Sequence, residues 1–388
     1  MTELRLTPAP LSTQMFGLET TSSGREVTHF LALQEYVDPV DLEFLWQCRF
    51  PRAAWEVLPA ERQVDGAVEL TPGVLRVSAR SVVHGPYLPL ASLVDAADTM
   101  SASSQDTAPH PARFAHGTSM VWALTTIRER GEAPVPGGGD RDGLARIFAE
   151  GLPTREELRQ VTALVALARY LGASAHFDAV EPPSTRMYRI ENDQERYRSI
   201  TPDPAANVDR IIYSDVWLDP AAALRIAQIT LPSVQFMPTE VPWEGPEDPS
   251  RFLYREHMDL TAEQIESIHE AADQHDREAL ETANPVSAFG LVFEARDGDI
   301  ITVEIGGTDE LPPALQGVDW AAAGVIEYRI SWVPQDLEDW HREIPSFDLR
   351  KRRTRYIQMV RDLTKAFYSA TSGEISDLDG FLHDPAQL

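Results

Sequence analysis

A run of basic residues near the carboxyl end is the most unusual chemical feature of the sequence. Arg350, Lys351, Arg352, Arg353 and Arg355 lie together in a chain whose formal net charge is −27. They begin the last predicted helix, where positive charge opposes the helix macrodipole. Guanidinium groups bind carboxylates and phosphates through paired hydrogen bonds, so the run indicates either a set of ion pairs or a site for an anion.

Two interpretations of the basic run remain open. In the first, the cations pair with the acidic residues just upstream, which are Asp336, Glu338, Asp339, Glu343 and Asp348. In the second, they bind a small anionic ligand, such as a phosphorylated compound or a carboxylate, or an acidic surface of a protein partner. Nucleic acid is not an expected partner, because so acidic a chain repels a phosphate backbone.

Trp243 is a further candidate for binding. It lies in the turn-rich segment Pro242-Trp-Glu-Gly-Pro246. Tryptophan is enriched where protein surfaces bind one another, because it buries a large area. Most tryptophans of the second half are expected to be core anchors, and Trp243 is the better candidate for an interface because of its turn-rich surroundings.

Several histidines provide weaker candidates. His269 and Asp273 share a helical face, but the second histidine of a zinc-binding helix is missing. His275 lies nearer the apolar side of the same helix, where a histidine is usually a core residue; the alternative is a general acid or base among nearby carboxylates. His110 and His116 have no carboxylate or cysteine companion at ligand spacing. We predict no metal site and no cofactor.

Other catalytic and nucleotide-binding motifs are missing from the sequence. The glycine-rich segment 136–143 lacks the Lys-Ser/Thr pair of a P-loop and the spaced ligands of a calcium loop. There is no Gly-x-Ser-x-Gly elbow and no Cys-x-x-Cys pair. The single cysteine, Cys48, lies among apolar residues and is predicted to be a buried thiol. A chain without an internal disulfide fits a reducing cytosol.

The elements that would position these residues occur twice in the sequence. Each copy predicts a strand, an aspartate N-cap, a helix whose first residue is proline, and a second strand. The identical residues, 181 positions apart, are Asp38 and Asp219, Pro39 and Pro220, Gln47 and Gln228, and Pro51 and Pro232. This repeat indicates an internal duplication that produced two pseudo-symmetric halves.

The alternation of strands and helices predicts an α+β fold. Each half is predicted to be a mainly antiparallel sheet with packed helices, and a ferredoxin-like arrangement is one candidate. The predicted parts are a flexible arm at 1–25, a first half at 26–180, a linker at 181–207 and a second half at 208–388. The predicted strands are 27–37, 74–82, 118–126, 209–218, 289–296, 299–305 and 324–332.

Helix starts and a hairpin are predicted from local motifs. Thr154 with Glu157 and Thr261 with Gln264 match the capping box, in which two side chains bond the first free N–H groups of a helix. Asp297-Gly298, between alternating apolar residues, predicts the turn of a hairpin over 289–304.

The sequence supports two classes of function. The first is a non-catalytic cytoplasmic protein that binds a ligand or a partner, because no catalytic motif is recognisable. The alternative is an enzyme with an acid/base site in the cleft between the halves, which predicts a pocket with converging titratable groups. A membrane role is not expected, because the most apolar helical stretch, 161–171, is too short to span a bilayer. The sequence makes no prediction of the oligomeric state.

Overall fold

Two β-sheets with packed helices form the part of the chain that the computed structural model describes. The described residues are 6–10, 26–64, 67–89, 117–135, 140–179, 197–238, 261, 266–267, 270, 288–322 and 324–388. Both sheets are mainly antiparallel. The predicted α+β class is therefore confirmed.

The described residues contribute ten strands to the first sheet. They are β1 (Leu6–Pro10), β2 (Glu26–Leu33), β3 (Ala54–Val57), β4 (Ala60–Val64), β5 (Ala67–Thr71), β6 (Gly73–Ser78), β7 (Ser81–Leu88), β8 (Met120–Ile127), β9 (Ser174–Asp178) and β10 (Tyr197–Ile200). A continuous antiparallel run has the order β3-β6-β7-β8-β2-β9-β10. Strand β1 pairs in parallel with β5 and β7.

In the described part of the chain, the second sheet has seven strands, all antiparallel to their neighbours. They are β11 (Arg210–Ser214), β12 (Gln235–Phe236), β13 (Ala288–Glu294), β14 (Ile300–Thr308), β15 (Val325–Val333), β16 (Glu374–Ser376) and β17 (Leu382–His383). Their order is β12-β13-β14-β15-β11-β16-β17. When the strands of each run are ranked by their order along the chain, the spatial order across the second sheet is the same as that across the continuous run of the first sheet.

Each described helix lies in a connection between two parallel strands of one sheet. Within the sheet, at least one other strand lies between those two. They are α1 (Pro39–Gln47), α2 (Leu144–Ile147), α3 (Arg155–Tyr170), α4 (Pro220–Thr230), α5 (Leu337–Trp340) and α6 (Phe347–Thr371). Helix α1 follows β2 as α4 follows β11, and α3 precedes β9 as α6 precedes β16.

Helices α1 and α4 begin in the same way. The Asp38 carboxylate accepts the N–H of Val40 at 2.8 Å. The Asp219 carboxylate accepts the N–H groups of Ala221 at 3.0 Å and Ala222 at 3.1 Å. In each helix proline takes the first position, where an N–H would have no partner within the helix. The predicted aspartate caps are confirmed.

A glutamine near the end of each helix makes a matching contact. Gln47 Nε2 donates to the Ala53 carbonyl at 2.9 Å, and Gln228 Nε2 donates to the Val234 carbonyl at 3.1 Å. Both bonds bridge six positions and fix the chain as it leaves the helix for the next strand. The repeated glutamines therefore have the same structural role.

Each sheet has its own apolar core against its helices. Trp46 and Trp122 are fully buried in the first core, and Tyr328 and Phe367 are fully buried in the second. Phe381, which lies just before β17 of the second sheet, packs into the first core. The two cores are therefore joined by the carboxyl-terminal part of the chain.

Two local predictions were wrong. The single strand predicted at 74–82 is a hairpin, because β6 and β7 turn back at Ala79-Arg80. The capping box of α3 does not form, since the Thr154 side chain makes no capping bond. Glu157 instead lies buried against Arg130, and the Glu129 carboxylate accepts the N–H of Glu156 at 2.9 Å.

Other predicted segments are described only in part. Strand β1 lies within the predicted arm and β10 within the predicted linker, and both pair with first-sheet strands. The hairpin predicted to turn at Asp297-Gly298 is formed by β13 and β14. The predictions for Trp243, His110, His116, His269, Asp273, His275 and Gln264 concern residues outside the described ones. No helix among the described residues is long and apolar enough to cross a membrane.

Candidate anion-binding site

A cavity of about 330 Å³ lies where elements of the two sheets meet. The loop before α2, the end of α3 and the segment after β10 form one side. Helix α5, the start of α6 and the connection between them form the other. The described lining residues are Arg141, Asp142, Arg146, Arg169, Ser199, Ile200, Thr201, Pro202, Asp203, Ala206, Trp340, Arg342, Glu343, Ile344, Pro345, Arg350 and Arg353.

The lining of this cavity is cationic although the chain as a whole is acidic. Among the described lining residues, six arginines face three carboxylates, whereas the formal charge of the chain is −27. Walls that carry one sign of charge focus the local electrostatic potential. The cavity is therefore a place where an anion can approach a protein that otherwise repels it.

Arg146 and Glu343 form a two-pronged ion pair across the cavity. Arg146 Nη2 lies 2.6 Å from Glu343 Oε1, and Arg146 Nε lies 3.0 Å and 3.1 Å from the two carboxylate oxygens. This hydrogen bonding raises the pKa of Arg146. Gly143 (φ +73°) allows the approach, because a Cβ there would lie 2.6 Å from the Glu343 carboxyl carbon.

Arg169 at the end of α3 is almost completely buried between two carboxylates. Its side chain is 3% exposed and pairs with Asp142 from the loop before α2 and with Asp379 from the β16–β17 connection. Burial lowers the pKa of Arg169, but Asp379 and Asp142 raise it more, so the net shift is upward. Asn207 Nδ2 also donates to Asp379 at 3.2 Å. This side of the cavity is therefore fixed by a buried charge cluster.

Arg353 joins α6 to the segment that follows the first sheet. It is 4% exposed and donates to the Asp203 carboxylate, whose other oxygen accepts the N–H of Ala205 at 2.9 Å. Counted from the N-cap, Arg353 takes the position on α6 that the fully buried Val161 takes on α3. Helix α6 of the second sheet thus has a buried cation where helix α3 of the first sheet has an apolar core residue.

The basic run divides between the cavity and the second sheet. Arg350 and Arg353 line the cavity, and Lys351 is exposed. Arg352 pairs with the buried Asp299, while Arg355 Nη1 lies 3.7 Å from Asp297 Oδ2.

The ion-pair interpretation therefore named the wrong partners. Within the described structure, the carboxylates paired with the run are Asp203, Asp297 and Asp299 rather than the acids just upstream. The reason is the direction of α6, because its first turns face the β13–β14 turn on one side and the segment after β10 on the other.

Arg350 and Arg141 are the least committed cations of the lining. Arg350 is exposed and has no ion-pair partner among the described residues. Arg141 lies 4.0 Å from Asp142 and stacks on Trp340, with its guanidinium carbon 5.5 Å from the ring centroid. Both guanidinium groups retain hydrogen-bond donors for a ligand.

A second cluster of charged groups is closed off inside the first core. His29 and Glu157 are fully buried, and burial lowers the pKa of His29. The Asp178 N–H donates to His29 Nδ1 at 3.2 Å, so a neutral ring has its proton on Nε2, which lies 3.5 Å from Glu157. Arg130 lies 2.5 Å from Glu157. This cluster links strands of the first sheet to α3, and the His29 side chain is not accessible to solvent.

Most of the cavity was not predicted from the sequence. Arg350 and Arg353 were candidate site residues, but Arg141, Arg146 and Arg169 were not. Arg169 did offer a signal, because a charged residue inside the apolar stretch 161–171 must find a buried partner. Arg141 and Arg146 are surface-type residues in a polar segment, and no sequence pattern distinguishes them.

No metal site accompanies the cavity in the part of the chain that is described. No group of three or more histidine, cysteine, aspartate or glutamate side chains there could hold a metal ion. Comparison with family models, curated proteins and solved structures finds no match for this chain.

Proposed function

We propose that this protein binds a small anionic ligand in the cavity between its two sheets. The observation that carries the proposal is the cationic lining of that cavity within a chain of net charge −27. Arg350 provides a guanidinium group with no carboxylate partner among the described residues. Guanidinium groups match carboxylate and phosphate oxygens with two parallel hydrogen bonds.

The dimensions of the cavity favour a compact ligand. Its volume of about 330 Å³ is at the lower end of the range for small-molecule sites, which is about 300–1,000 Å³. The hydroxyl groups of Ser199 and Thr201 and the indole of Trp340 add polar and flat surfaces to the lining. A phosphate-bearing or multiply carboxylated metabolite has the matching charge and size.

Ligand binding is favoured over catalysis by the chemistry of the lining. Arginine does not exchange protons near neutral pH, and the pKa values of Arg146 and Arg169 are raised further. The described lining contains no histidine and no cysteine. An enzyme with an acid/base site in the cleft is the second candidate, and the position of the cavity between the two sheets favours it.

We infer further that the two sheets arose by internal duplication. The identical strand order, the matched aspartate caps and the matched glutamine contacts support this origin. The matched run of each sheet then corresponds to a ferredoxin-like βαββαβ unit with one added hairpin, β6–β7 or β13–β14, and one added edge strand, β10 or β17. The cavity would lie between two copies of one ancestral unit. The buried free thiol of Cys48 supports a cytoplasmic setting.

Isothermal titration calorimetry of the full chain tests the proposed function. Inorganic phosphate and citrate are titrated separately at constant ionic strength into the wild type, Arg350→Ala and Arg355→Ala. We expect at least one anion to bind the wild type and Arg350→Ala to weaken its binding about tenfold, because a charge-assisted hydrogen bond is lost.

Arg355→Ala is the matched control for that titration. It removes the same charge from the same helix, but Arg355 does not line the cavity. The affinity of Arg355→Ala for the anion should equal that of the wild type. The proposal is rejected if neither anion binds the wild type, or if the two variants weaken binding equally.

A further inference from the structure

Among the described residues, three ion pairs at the cavity connect segments of the first sheet to segments of the second, and they differ greatly in burial. The pairs are Arg169 with Asp379, Arg353 with Asp203, and Arg146 with Glu343. Arg169 and Arg353 are almost completely buried, whereas the side chains of Arg146 and Glu343 are 53% and 32% exposed. Breaking a buried pair leaves an uncompensated charge, but an exposed pair contributes little to stability. The Arg146–Glu343 pair is therefore the replaceable one.

Glu343 belongs to a strap, residues 341–346, that is fixed mainly at its two ends. At one end the Asp140 N–H donates to the His341 carbonyl at 3.0 Å. At the other the Ser346 N–H donates to the Asp339 carboxylate at 3.0 Å and 3.2 Å. Between these ends Ile344 is 76% exposed although it lines the cavity. Release of Glu343 therefore requires little repacking of apolar side chains.

The contact made by Glu343 has the form expected of a ligand. Both of its oxygens lie within hydrogen-bond distance of Arg146, and its carboxyl group lies against Gly143, where no side chain intervenes. A bidentate carboxylate on a guanidinium group is the same arrangement that a bound carboxylate or phosphate would adopt. Glu343, an anion of the chain itself, is thus already bound to Arg146, one of the lining cations.

We infer that Glu343 is an internal competitor, which occupies Arg146 in the free protein and releases it when an anionic ligand enters the cavity. This inference rests on the proposed function of the cavity. A ligand with more than one negative charge displaces Glu343 most readily, because Arg350 attracts one group while Arg146 accepts another. The ligand class is therefore a compact polyanion, and the strength of the Glu343 contact sets its affinity.

Titration with inorganic pyrophosphate tests this competition in the full chain. Glu343→Gln keeps the shape of the side chain but removes its charge, and circular dichroism checks that the variant is folded. We expect pyrophosphate to bind Glu343→Gln about two- to fivefold more tightly than the wild type, as removal of an exposed ion pair allows. Asp348→Asn removes one negative charge from an exposed position in the first turn of α6 that does not line the cavity, so it should change the affinity less than twofold.

A second titration separates competition at Arg146 from a general effect of charge. In an Arg146→Ala background, Glu343→Gln should no longer change the affinity, because the contested cation is gone. An equal gain with and without Arg146, or no gain in Glu343→Gln while the wild type binds, overturns the inference and leaves the anion site intact. Absence of binding in every variant rejects the proposed function itself.

Discussion

Arg353 and Asp203 form an ion pair between the long helix of the second sheet and the segment that follows the first sheet. The arginine is buried, whereas the aspartate side chain is 45% exposed. The position of Arg353 corresponds to an apolar core residue of α3, so this charge does not serve the core of its own sheet. It serves the contact between the two sheets and the lining of the cavity.

Asp203→Asn is expected to destabilise the fold. The amide retains an acceptor for the N–H of Ala205 but leaves the buried Arg353 without its carboxylate. A buried donor that loses its partner costs about 1–3 kcal/mol, and we expect a loss of that size in the free energy of unfolding measured by urea denaturation.

Glu56→Gln provides the control for that denaturation experiment. It breaks a pair with Arg76 in which both side chains are largely exposed, so the free energy of unfolding should stay almost unchanged. Equal losses in the two variants would contradict the structural role assigned to Arg353.

The matched glutamines should contribute to stability in both sheets. Gln47→Ala and Gln228→Ala each remove a side-chain donor from a buried residue's carbonyl, so each should cost about 0.5–1.5 kcal/mol. The Gln228 effect should be the smaller, since that side chain is the more exposed. The two losses should add in the double variant, because the contacts lie in different sheets.

Chemical denaturation of the single and double variants measures these losses. Gln358→Ala is a suitable control, because Gln358 is exposed and bonds only Asp362 on its own helix. A loss in Gln47→Ala together with wild-type stability in Gln228→Ala would show that the contacts are not equivalent.

His176 should make the fold less stable in mild acid. Burial lowers its pKa to about 4, whereas the unfolded chain has the ordinary value near 6.5. Above pH 6.5 both states are neutral, so the group has no effect. As the pH falls from 6.5 to 4 the unfolded state takes up the proton first, and the stability lost approaches about 3 kcal/mol.

Replacement of His176 isolates this contribution. The free energy of unfolding is measured from pH 7 to pH 4 for the wild type and His176→Gln, which carries no proton at any of these pH values. The free energy of unfolding should fall less steeply with decreasing pH in the variant than in the wild type. Part of the fall should remain in the variant, because burial also lowers the pKa of His29. Parallel curves would show that His176 takes up its proton over the same pH range in the folded state as in the unfolded chain.

Local chemistry made the helix starts predictable. Asp38 and Asp219 were identified as caps because aspartate is favoured at the N-cap and proline at the first helical position that follows it. The capping box at Thr154 failed, since Glu157 is drawn into a buried cluster with Arg130 and His29, which lie far away in sequence. A local motif cannot register such distant partners.

The cavity depends on contacts that the sequence does not encode locally. Arg169 and Asp379 are separated by 210 positions, and Arg353 and Asp203 by 150. The unfavourable dipole position of the basic run did indicate that its charges serve something outside the helix. Its partners could not be named, because they depend on how the two sheets pack.

Anomalous diffraction from crystals of the full chain soaked in sodium tungstate tests the central claim most directly. Tungstate is a tetrahedral oxyanion like phosphate, and its metal atom can be located without bias. The account predicts the strongest peak inside the cavity, with tungstate oxygens within hydrogen-bond distance of Arg350. Tungstate bound only at other surfaces, with the cavity empty, would contradict it.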